Sequence, residues 1–236
     1  MSATGAPAVE GTQPLAGRVV LVAGAHGGFG SAASLACARA GATVVLLGRK
    51  VPRLNRVYDA LAAHVEPLLY PMDLEGATPD DFADLARRIG EECGRLDALV
   101  HAIARFDGLT PFEHADPLHL ARDLHVNLTA PLWLTQACLP LLGASGRGTL
   151  VWTLDDAPRS TPAYWNGYGL AQAGRAAAVA QLRAEWATRG LRVEGFSPGP
   201  MRTALRARAF TEQDDRIARD PDEAAARLAA LLAGAP

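Results

Sequence analysis

A cluster of glycines near the N-terminus has the spacing of a loop that binds phosphate groups. It reads Gly24-Ala25-His26-Gly27-Gly28-Phe29-Gly30, a GxxxGxG pattern, and it follows a run of β-branched residues. Glycines suit such a loop because the chain turns sharply and its backbone must approach a pyrophosphate, which then meets the free N–H groups of the next helix. The pattern predicts a dinucleotide site, and the alternative is a turn with a purely structural role. The residues expected to contact the dinucleotide are Gly24, His26, Gly28, Phe29 and Gly30.

The end of the second predicted strand distinguishes between the two nicotinamide dinucleotides. A site for NAD usually offers a carboxylate to the ribose 2′-hydroxyl, but this strand ends in Gly48-Arg49-Lys50, with no acid. Arg49 could form a bidentate contact with a 2′-phosphate, and Lys50 could add positive charge. The sequence therefore favours NADP(H), and the alternative is a pair of solvated surface charges.

Lys50 is the single lysine among the 23 basic residues of the 236-residue chain, and the others are arginines. A mechanism that needs a catalytic lysine at any other position is therefore excluded. The simplest explanation is a genome that tends to replace lysine by arginine. The formal net charge of −2 gives no reason to expect nucleic acid or an anionic membrane as a partner.

Strands and helices alternate regularly along the chain, and this alternation positions the motifs. Short β-branched runs predict buried strands, and longer segments with helical periodicity predict helices. The alternation predicts an α/β protein with a parallel sheet covered on both faces. The predicted strands are residues 18–23, 42–47, 67–72, 96–103, 148–154 and 191–196. The predicted helices are residues 31–40, 51–64, 80–93, 117–142, 168–189 and 222–233.

One domain is predicted over residues 15–236, after a disordered lead-in over residues 1–14 that is small, polar and proline-containing. The lead-in lacks a basic region followed by an apolar one, so it is not predicted to be a signal peptide. Cys37, Cys93 and Cys138 lie far apart in helix-like segments and are expected to pack in the core, with no disulfide or metal motif. These features predict a cytoplasmic protein.

The chain resembles the short-chain dehydrogenase/reductase family over about residues 15–232. The glycine loop, Asp73, Asn127, Tyr168 and the segment Ser197-Pro198-Gly199-Pro200-Met201-Arg202-Thr203 carry the resemblance. Within that family the chain is similar to the bacterial YciK-like oxidoreductases, through LLGRK at residues 46–50 and RTALRARAF at residues 202–210. The resemblance implies a Rossmann-type three-layer αβα fold, a strand order of 3-2-1-4-5-6 and a nicotinamide cofactor.

The resemblance also implies roles for residues outside the glycine loop. Asp73 is expected to touch the adenine, and Thr203 the carboxamide end of the nicotinamide. The segment that follows Thr203, residues 204–220, is expected to cover the substrate. Further cofactor contacts are expected from Ala102, Pro198, Gly199 and Gln172.

The usual catalytic residues of the family are only partly present. The family uses asparagine, serine, tyrosine and lysine, with tyrosine and lysine in a YxxxK motif and serine thirteen residues before the tyrosine. Asn127 and Tyr168 match this pattern, whereas Gln172 stands at the lysine position and Asp155 at the serine position. Genome bias predicts arginine at the lysine position, so bias does not explain glutamine. The resemblance thus implies an active site formed by Tyr168, Asn127, Asp155 and Gln172, which departs from the family pattern at the serine and lysine positions.

Each replacement changes how the Tyr168 phenol can work. A phenol titrates at about 10, and a neighbouring ammonium lowers its pKa; Gln172 has no charge, although it can still hydrogen-bond a ribose hydroxyl. An ionised Asp155 only accepts hydrogen bonds, so only a protonated Asp155 could donate to a substrate carbonyl as serine does. General acid–base assistance is worth roughly 10²–10⁴-fold, so weak or altered activity is expected.

Four further residues are candidates with simpler alternatives. His101, at the end of the fourth strand, has a suitable pKa range for proton transfer, but a structural hydrogen bond in the sheet is the favoured alternative. Arg105 and Phe106 could bind an anionic or acyl substrate, or lie at the surface. Tyr164 is a second candidate phenol, with packing before the helix as its simpler role.

The chain ends soon after its last predicted helix, without the glycine- and aspartate-rich seventh strand that family members usually have. A sheet of six strands is therefore expected. In the family the seventh strand takes part in one contact of the tetramer, and two long helices form another. The resemblance thus implies a homodimer through the helices predicted at residues 117–142 and 168–189.

The sequence is compatible with two functions. One is an NADP(H)-dependent oxidoreductase that reduces a small carbonyl or acyl substrate with non-standard catalytic residues. The other is a catalytically impaired relative that binds a nucleotide, an acyl ligand or a protein partner as a sensor or scaffold. Similarity of fold does not choose between them.

Overall fold

Six parallel strands form one sheet in a computed structural model, which describes residues 13–210 and 216–234. The predicted lead-in therefore lies almost wholly outside the described residues. The strands are β1 (Val19–Ala23), β2 (Thr43–Gly48), β3 (Leu68–Pro71), β4 (Ala98–His101), β5 (Thr149–Thr153) and β6 (Arg192–Phe196). Their spatial order is β3-β2-β1-β4-β5-β6. The expected order and number of strands are thus confirmed for the described residues.

Helices cover both faces of the sheet and give the three-layer αβα arrangement. The helices of the described residues are α1 (Gly28–Arg39), α2 (Val51–Leu61), α3 (Pro79–Cys93), α4 (Pro117–Leu124), α5 (Ala130–Ala144), α6 (Ala157–Ser160), α7 (Asn166–Trp186) and α8 (Pro221–Ala233). Helices α1, α2 and α8 pack on one face, whereas α3, α5 and α7 pack on the other. None of these described helices is long and apolar enough to cross a membrane.

Strand β1 shows why uninterrupted apolar runs form this sheet. Val19 and Leu21 pack towards the layer of α3, α5 and α7, whereas Val20 and Val22 pack towards the layer of α1, α2 and α8. All five residues of the strand are buried. A parallel strand covered on both faces must be apolar on both, so the run of residues in β1 is continuous rather than alternating.

The sheet opens a crevice at the carboxyl ends of β1 and β4. The two strands are neighbours in the sheet, but the chain leaves β1 for α1 on one face and leaves β4 for α4 and α5 on the other. Gly24 N donates to Leu47 O at 2.9 Å, and Ala102 N donates to Ala23 O at 2.8 Å. Doubly wound folds bind their ligands at such a reversal of strand order.

The helix predicted at residues 117–142 is interrupted in the structure. It consists of α4, a π-helical turn (His125–Thr129) and α5. Ala130 N donates to His125 O, five residues back, so one extra residue is accommodated in the turn. Turns of this kind occur often at functional sites, and here the turn contains Asn127. The turn holds neither proline nor glycine, so its sequence contains no breaker that would mark it.

Candidate functional site

The glycine loop after β1 is too tightly packed to accept larger residues. Gly24 has a φ of +88°, and a Cβ atom there would lie 2.7 Å from Ala102 O. A Cβ atom on Gly30 would lie 2.1 Å from Gly24 O. The loop therefore brings the start of α1, with its free N–H groups, to the crevice between β1 and β4.

The segment after β6 touches the same loop. A Cβ atom on Gly28 would lie 2.8 Å from Thr203 Cγ2, and Phe29 stacks on Phe196 with the ring centroids 5.8 Å apart. Gly199 has a φ of +82°, a conformation that favours glycine. The two segments that the sequence assigned to the cofactor thus lie against each other, although they are far apart in the chain.

Basic residues cluster at the end of β2. His26 packs directly on Gly48, where a Cβ atom would lie 2.2 Å from His26 Nδ1. Arg49 Nη1 lies 3.8 Å from Asp73 Oδ2, and both side chains are about half exposed. Burial, together with the charges of Arg49, Lys50 and then Arg53, lowers the pKa of His26. Arg53 was missed by sequence reasoning, although its place three residues after Lys50 in the first turn of α2 could have indicated it.

One cavity of about 790 Å³ runs from this cluster to Tyr168. It brings together nearly all the residues expected from the sequence to contact cofactor or substrate. Gly30, Phe106 and Asn127 are exceptions, because none of the three lines the cavity. The expected residues that do line it are Gly24, His26, Gly28, Phe29, Arg49, Lys50, Asp73, Ala102, Asp155, Tyr168, Gln172, Pro198, Gly199 and Thr203.

Three side chains form a hydrogen-bonded group where β5 meets α7. Tyr168 Oη donates to Asp155 Oδ2 at 2.8 Å, and Asp155 Oδ1 accepts from Ala157 N at 2.9 Å. Gln172 Oε1 accepts from Asp155 N at 3.1 Å. Tyr168 and Gln172 are four residues apart in α7, so they lie on one face of the helix.

The Tyr168 phenol is held in its protonated form. Tyr168 is 2% exposed, and burial raises its pKa above the usual value. The charge of Asp155 and the hydrogen bond to it raise the pKa further, whereas Arg175 and Gln172 lower it. The proton thus stays on Tyr168 Oη, and Asp155 Oδ2 accepts the hydrogen bond from it.

Arg175 lies beside this group and was not expected from the sequence. It is 1% exposed, and it lines the cavity. It follows Gln172 by three residues and Tyr168 by seven, so helical spacing alone places it on their face of α7. That spacing was the signal that could have identified it.

Asn127 is buried in the π turn, with its side chain directed at the backbone of the loop after β4. Its Oδ1 accepts from Arg105 N, and its Nδ2 donates to Arg105 O, both at 2.7 Å. Its backbone oxygen accepts from Arg175 Nε at 2.6 Å. Asn127 thus fixes the loop that borders the cavity, and its side-chain atoms are already paired.

His101 takes the simpler role of a structural hydrogen bond, whereas the surface position predicted as the alternative for Arg105 and Phe106 is wrong: Phe106 is 2% exposed, and the Arg105 side chain is 17% exposed. His101 is fully buried, and its Nε2 lies 2.8 Å from Thr135 Oγ1. Arg105 lines the cavity, but it pairs with Asp123 at 2.7 Å and with Asp107 at 2.9 Å. Tyr164 is 56% exposed and does not line the main cavity.

Aromatic side chains surround the Tyr168 end of the cavity. Phe106 lies 5.0 Å from Trp165 and 5.1 Å from Tyr168 between ring centroids, and Trp165 lies 6.1 Å from Phe210. Phe210 and Leu205 belong to the segment expected to cover the substrate, of which residues 211–215 lie outside the described residues. Across the part of the chain that is described, no group of three His, Cys, Asp or Glu side chains could hold a metal ion.

A doubly wound parallel sheet with a glycine loop at its crevice defines a Rossmann-type fold. The chain belongs to the short-chain dehydrogenase/reductase family, because the family model for short chain dehydrogenase matches residues 18–214. It is 35% identical over 210 residues to the oxidoreductase YciK of Escherichia coli strain K12, covering 86% of this chain and 81% of that protein. The resemblance stated from the sequence is thus confirmed.

Solved structures agree with this assignment. A short chain dehydrogenase from Escherichia coli CFT073, complexed with NADPH, is 34% identical and matches with a TM-score of 0.88 over 94% of this chain and 93% of that chain. A short chain dehydrogenase from Shigella flexneri 2a strain 301, complexed with NADP, is 32% identical and matches with a TM-score of 0.89 over 94% and 93%.

Proposed function

We propose that the protein is an NADP(H)-dependent oxidoreductase that acts on a small carbonyl or acyl substrate with non-standard catalytic residues. The hydrogen bond from Tyr168 Oη to Asp155 Oδ2 carries the proposal. It places a phenol that holds a proton in the same cavity as the glycine loop. The relatives solved with NADPH and NADP support the choice of cofactor.

The described residues fit this cofactor at three points. The glycine loop lines the cavity with Gly24, Gly27 and Gly28, and a backbone without side chains can approach a pyrophosphate there. Arg49, Lys50 and Arg53 offer positive charge to a 2′-phosphate. His26 Nδ1 is buried without a hydrogen-bond partner among the described residues, and a ligand could supply one. When bound, NADPH supplies the hydride.

Tyr168 moves the proton in this proposal. In reduction, Tyr168 Oη gives its proton to the substrate oxygen, and the resulting phenolate regains a proton from solvent. In oxidation, the Tyr168 phenolate accepts the proton of the substrate hydroxyl. The hydrogen bond of 2.8 Å to Asp155 Oδ2 positions Tyr168 Oη. Asp155 and Gln172 thus stand in for the serine and lysine of the family.

The walls around Tyr168 favour a substrate with an apolar or aromatic group beside its reacting carbon. Trp165, Leu205 and Phe210 line the cavity there. Arg206 lies over the Phe210 ring, with its guanidinium carbon 4.1 Å from the ring centroid. A small aldehyde or ketone with an aryl or branched alkyl group is therefore the first substrate class to assay.

Replacing Arg49 with alanine is expected to weaken NADPH binding by roughly 10-fold, because a charge-assisted contact to the 2′-phosphate is lost. NADH, which lacks that phosphate, should bind the variant and the native protein equally. A fluorescence titration with each dinucleotide measures both affinities.

Arg56→Ala is the matched control, since Arg56 is an exposed arginine of α2, the helix that follows Arg49, and it does not line the cavity. It should leave both affinities unchanged. A native protein that binds NADH more tightly than NADPH would contradict the assignment of NADP(H). A native protein that binds neither dinucleotide would contradict the proposed function as a whole.

The raised pKa of the Tyr168 phenol favours a second function. Because Asp155 accepts a hydrogen bond from Tyr168 Oη and its charge raises the pKa of that phenol, the site could be one that binds a nucleotide, an acyl ligand or a protein partner without turnover. Saturable NADPH binding without reduction of any carbonyl substrate is the result expected from such a sensor or scaffold.

We also propose that the protein forms a homodimer through α4, α5 and α7. Leu118 on α4 is 67% exposed and Leu170 on α7 is 54% exposed, and the two helices pack against each other. Light scattering is expected to give the mass of a dimer for the native chain and of a monomer for Leu170→Glu, because the charge would be buried. A native tetramer would contradict this arrangement.

A further inference from the structure

Arg175 is a buried cation that the proton transfer described above does not use. Its side chain lies on α7, two helical turns after Tyr168 and on the same face. It lines the cavity and is 1% exposed. Burial of a guanidinium is costly unless its donors are paired, so the surroundings of Arg175 decide what it can do.

Three backbone carbonyls hold the guanidinium in place. Arg175 Nε donates to Asn127 O at 2.6 Å, and its Nη2 donates to Ile103 O at 2.7 Å. Its Nη1 donates to Thr153 O at 3.2 Å. These acceptors come from the π turn, the loop after β4 and the end of β5. They are neutral, so they fix the position of the guanidinium without cancelling its charge.

We propose that Arg175 supplies the positive charge that stabilises the Tyr168 phenolate, so that a guanidinium fixed on backbone carbonyls replaces the ammonium group absent at Gln172. The inference rests on the proposed function, in which Tyr168 gives up and regains a proton. Arg175 acts through Tyr168 rather than on the substrate, and it is therefore a positioning residue.

The charges around Tyr168 act in opposite directions. Asp155, after β5, opposes ionisation of the phenol, whereas Arg175 and Gln172 favour it. Burial lowers the pKa of Arg175 to about 10, while Tyr168 and Asp155 raise it, so the guanidinium remains charged at neutral pH. His101, which faces Arg175 from β4, has its pKa lowered by burial and by that charge, and it stays neutral. Arg175 is thus a described cation placed to stabilise the phenolate, and both side chains are buried, where water screens little.

The alternative is that Arg175 serves only to satisfy the three carbonyl oxygens. Buried carbonyls need partners, so a structural role predicts that its removal lowers the stability of the fold. A structural role does not predict a change in the proton affinity of Tyr168 in a variant that folds. The titration of the phenol therefore separates the two roles.

The test measures ionisation of Tyr168 by the absorbance of tyrosinate in the protein without cofactor or substrate. The parent is Asp155→Asn, because removal of the opposing carboxylate brings the titration of the phenol to lower pH. The signal of Tyr168 is the difference from the same protein with Tyr168→Phe. In this background Arg175→Gln and Arg175→Met are expected to raise the proton affinity of Tyr168 at least tenfold. If one of these variants does not fold, the other is sufficient for the test.

Two further variants sharpen the result. Arg175→Lys retains a charge and should leave the Tyr168 titration close to that of the parent. Arg183→Gln, a matched control on α7 that donates to Val193 O, should leave it unchanged. The proposal would be overturned if Arg175→Gln or Arg175→Met folds and Tyr168 titrates as in the parent. It would also be overturned if Arg175→Lys shifts the Tyr168 titration as far as the neutral variants do. The test measures no turnover, so its result does not depend on whether the protein reduces a carbonyl substrate. Failure of this proposal can therefore be distinguished from failure of the proposed function.

Discussion

Tyr168→Phe is expected to lower the rate of carbonyl reduction by roughly 10²–10⁴-fold, the usual contribution of a general acid. The variant loses the hydroxyl that hydrogen-bonds to Asp155 Oδ2, but it keeps the ring that packs against Phe106 and Trp165. The fold and the affinity for NADPH should therefore remain unchanged. The measurement is the rate of NADPH oxidation with a series of small aryl and alkyl carbonyl compounds, together with a cofactor titration.

Tyr164→Phe is the matched control, because Tyr164 is an exposed phenol four residues away that does not line the cavity. It should retain the native rate. The double variant Asp155→Ser with Gln172→Lys restores the residues that the family uses at these positions. Activity that appears only in this double variant would favour the sensor or scaffold function. Native activity that Tyr168→Phe abolishes would support the oxidoreductase.

Gly30→Ala is expected to weaken NADPH binding on the order of 10- to 100-fold. The added Cβ atom would lie 2.1 Å from Gly24 O and 3.1 Å from Ala25 Cα, and both neighbours are backbone atoms that no change of side-chain rotamer can move. Strain of about 1–3 kcal/mol must then be relieved by displacing the loop, and each 1.4 kcal/mol is about tenfold in affinity. A fluorescence titration with NADPH measures the loss.

Gly143→Ala provides the comparison for this prediction. Gly143 is a helical glycine of α5, and its Cβ atom would meet only Trp186 at an ordinary 3.6 Å. This variant should bind NADPH as the native protein does. Because alanine favours helix over glycine by about 1 kcal/mol, a helical effect alone would stabilise both variants. Native affinity in Gly30→Ala would show that the loop does not hold the pyrophosphate.

The sheet and the glycine loop could be predicted from the sequence because each depends on residues close together in the chain. A parallel strand buried on both faces needs a continuous apolar run, and β1 consists of five buried apolar residues. The loop needs glycine where a Cβ atom would strike backbone, as at Gly24 and Gly30. Local sequence was thus sufficient for the fold class and for the place of the candidate cofactor site.

Helical spacing also placed part of the candidate site. Tyr168 and Gln172 are four residues apart, and that interval alone puts them on one face of α7. Arg175 follows the same spacing, but spacing does not show which face of a helix is buried. An arginine in a helix is usually exposed, and 22 arginines accompany the one lysine in this chain. Only the hydrogen bonds from Arg175 to the loop after β4, the end of β5 and the π turn show that it is enclosed.

The sequence by itself determined the family, the layered sheet, the phosphate loop and the residue types at the candidate site. The tertiary structure alone decided how those residue types are connected. It directs the Asp155 carboxylate to the Tyr168 phenol, and it pairs the Asn127 side chain with the backbone of Arg105. The physical reason is that charge, burial and hydrogen bonding at this site depend on contacts between segments that are distant along the chain.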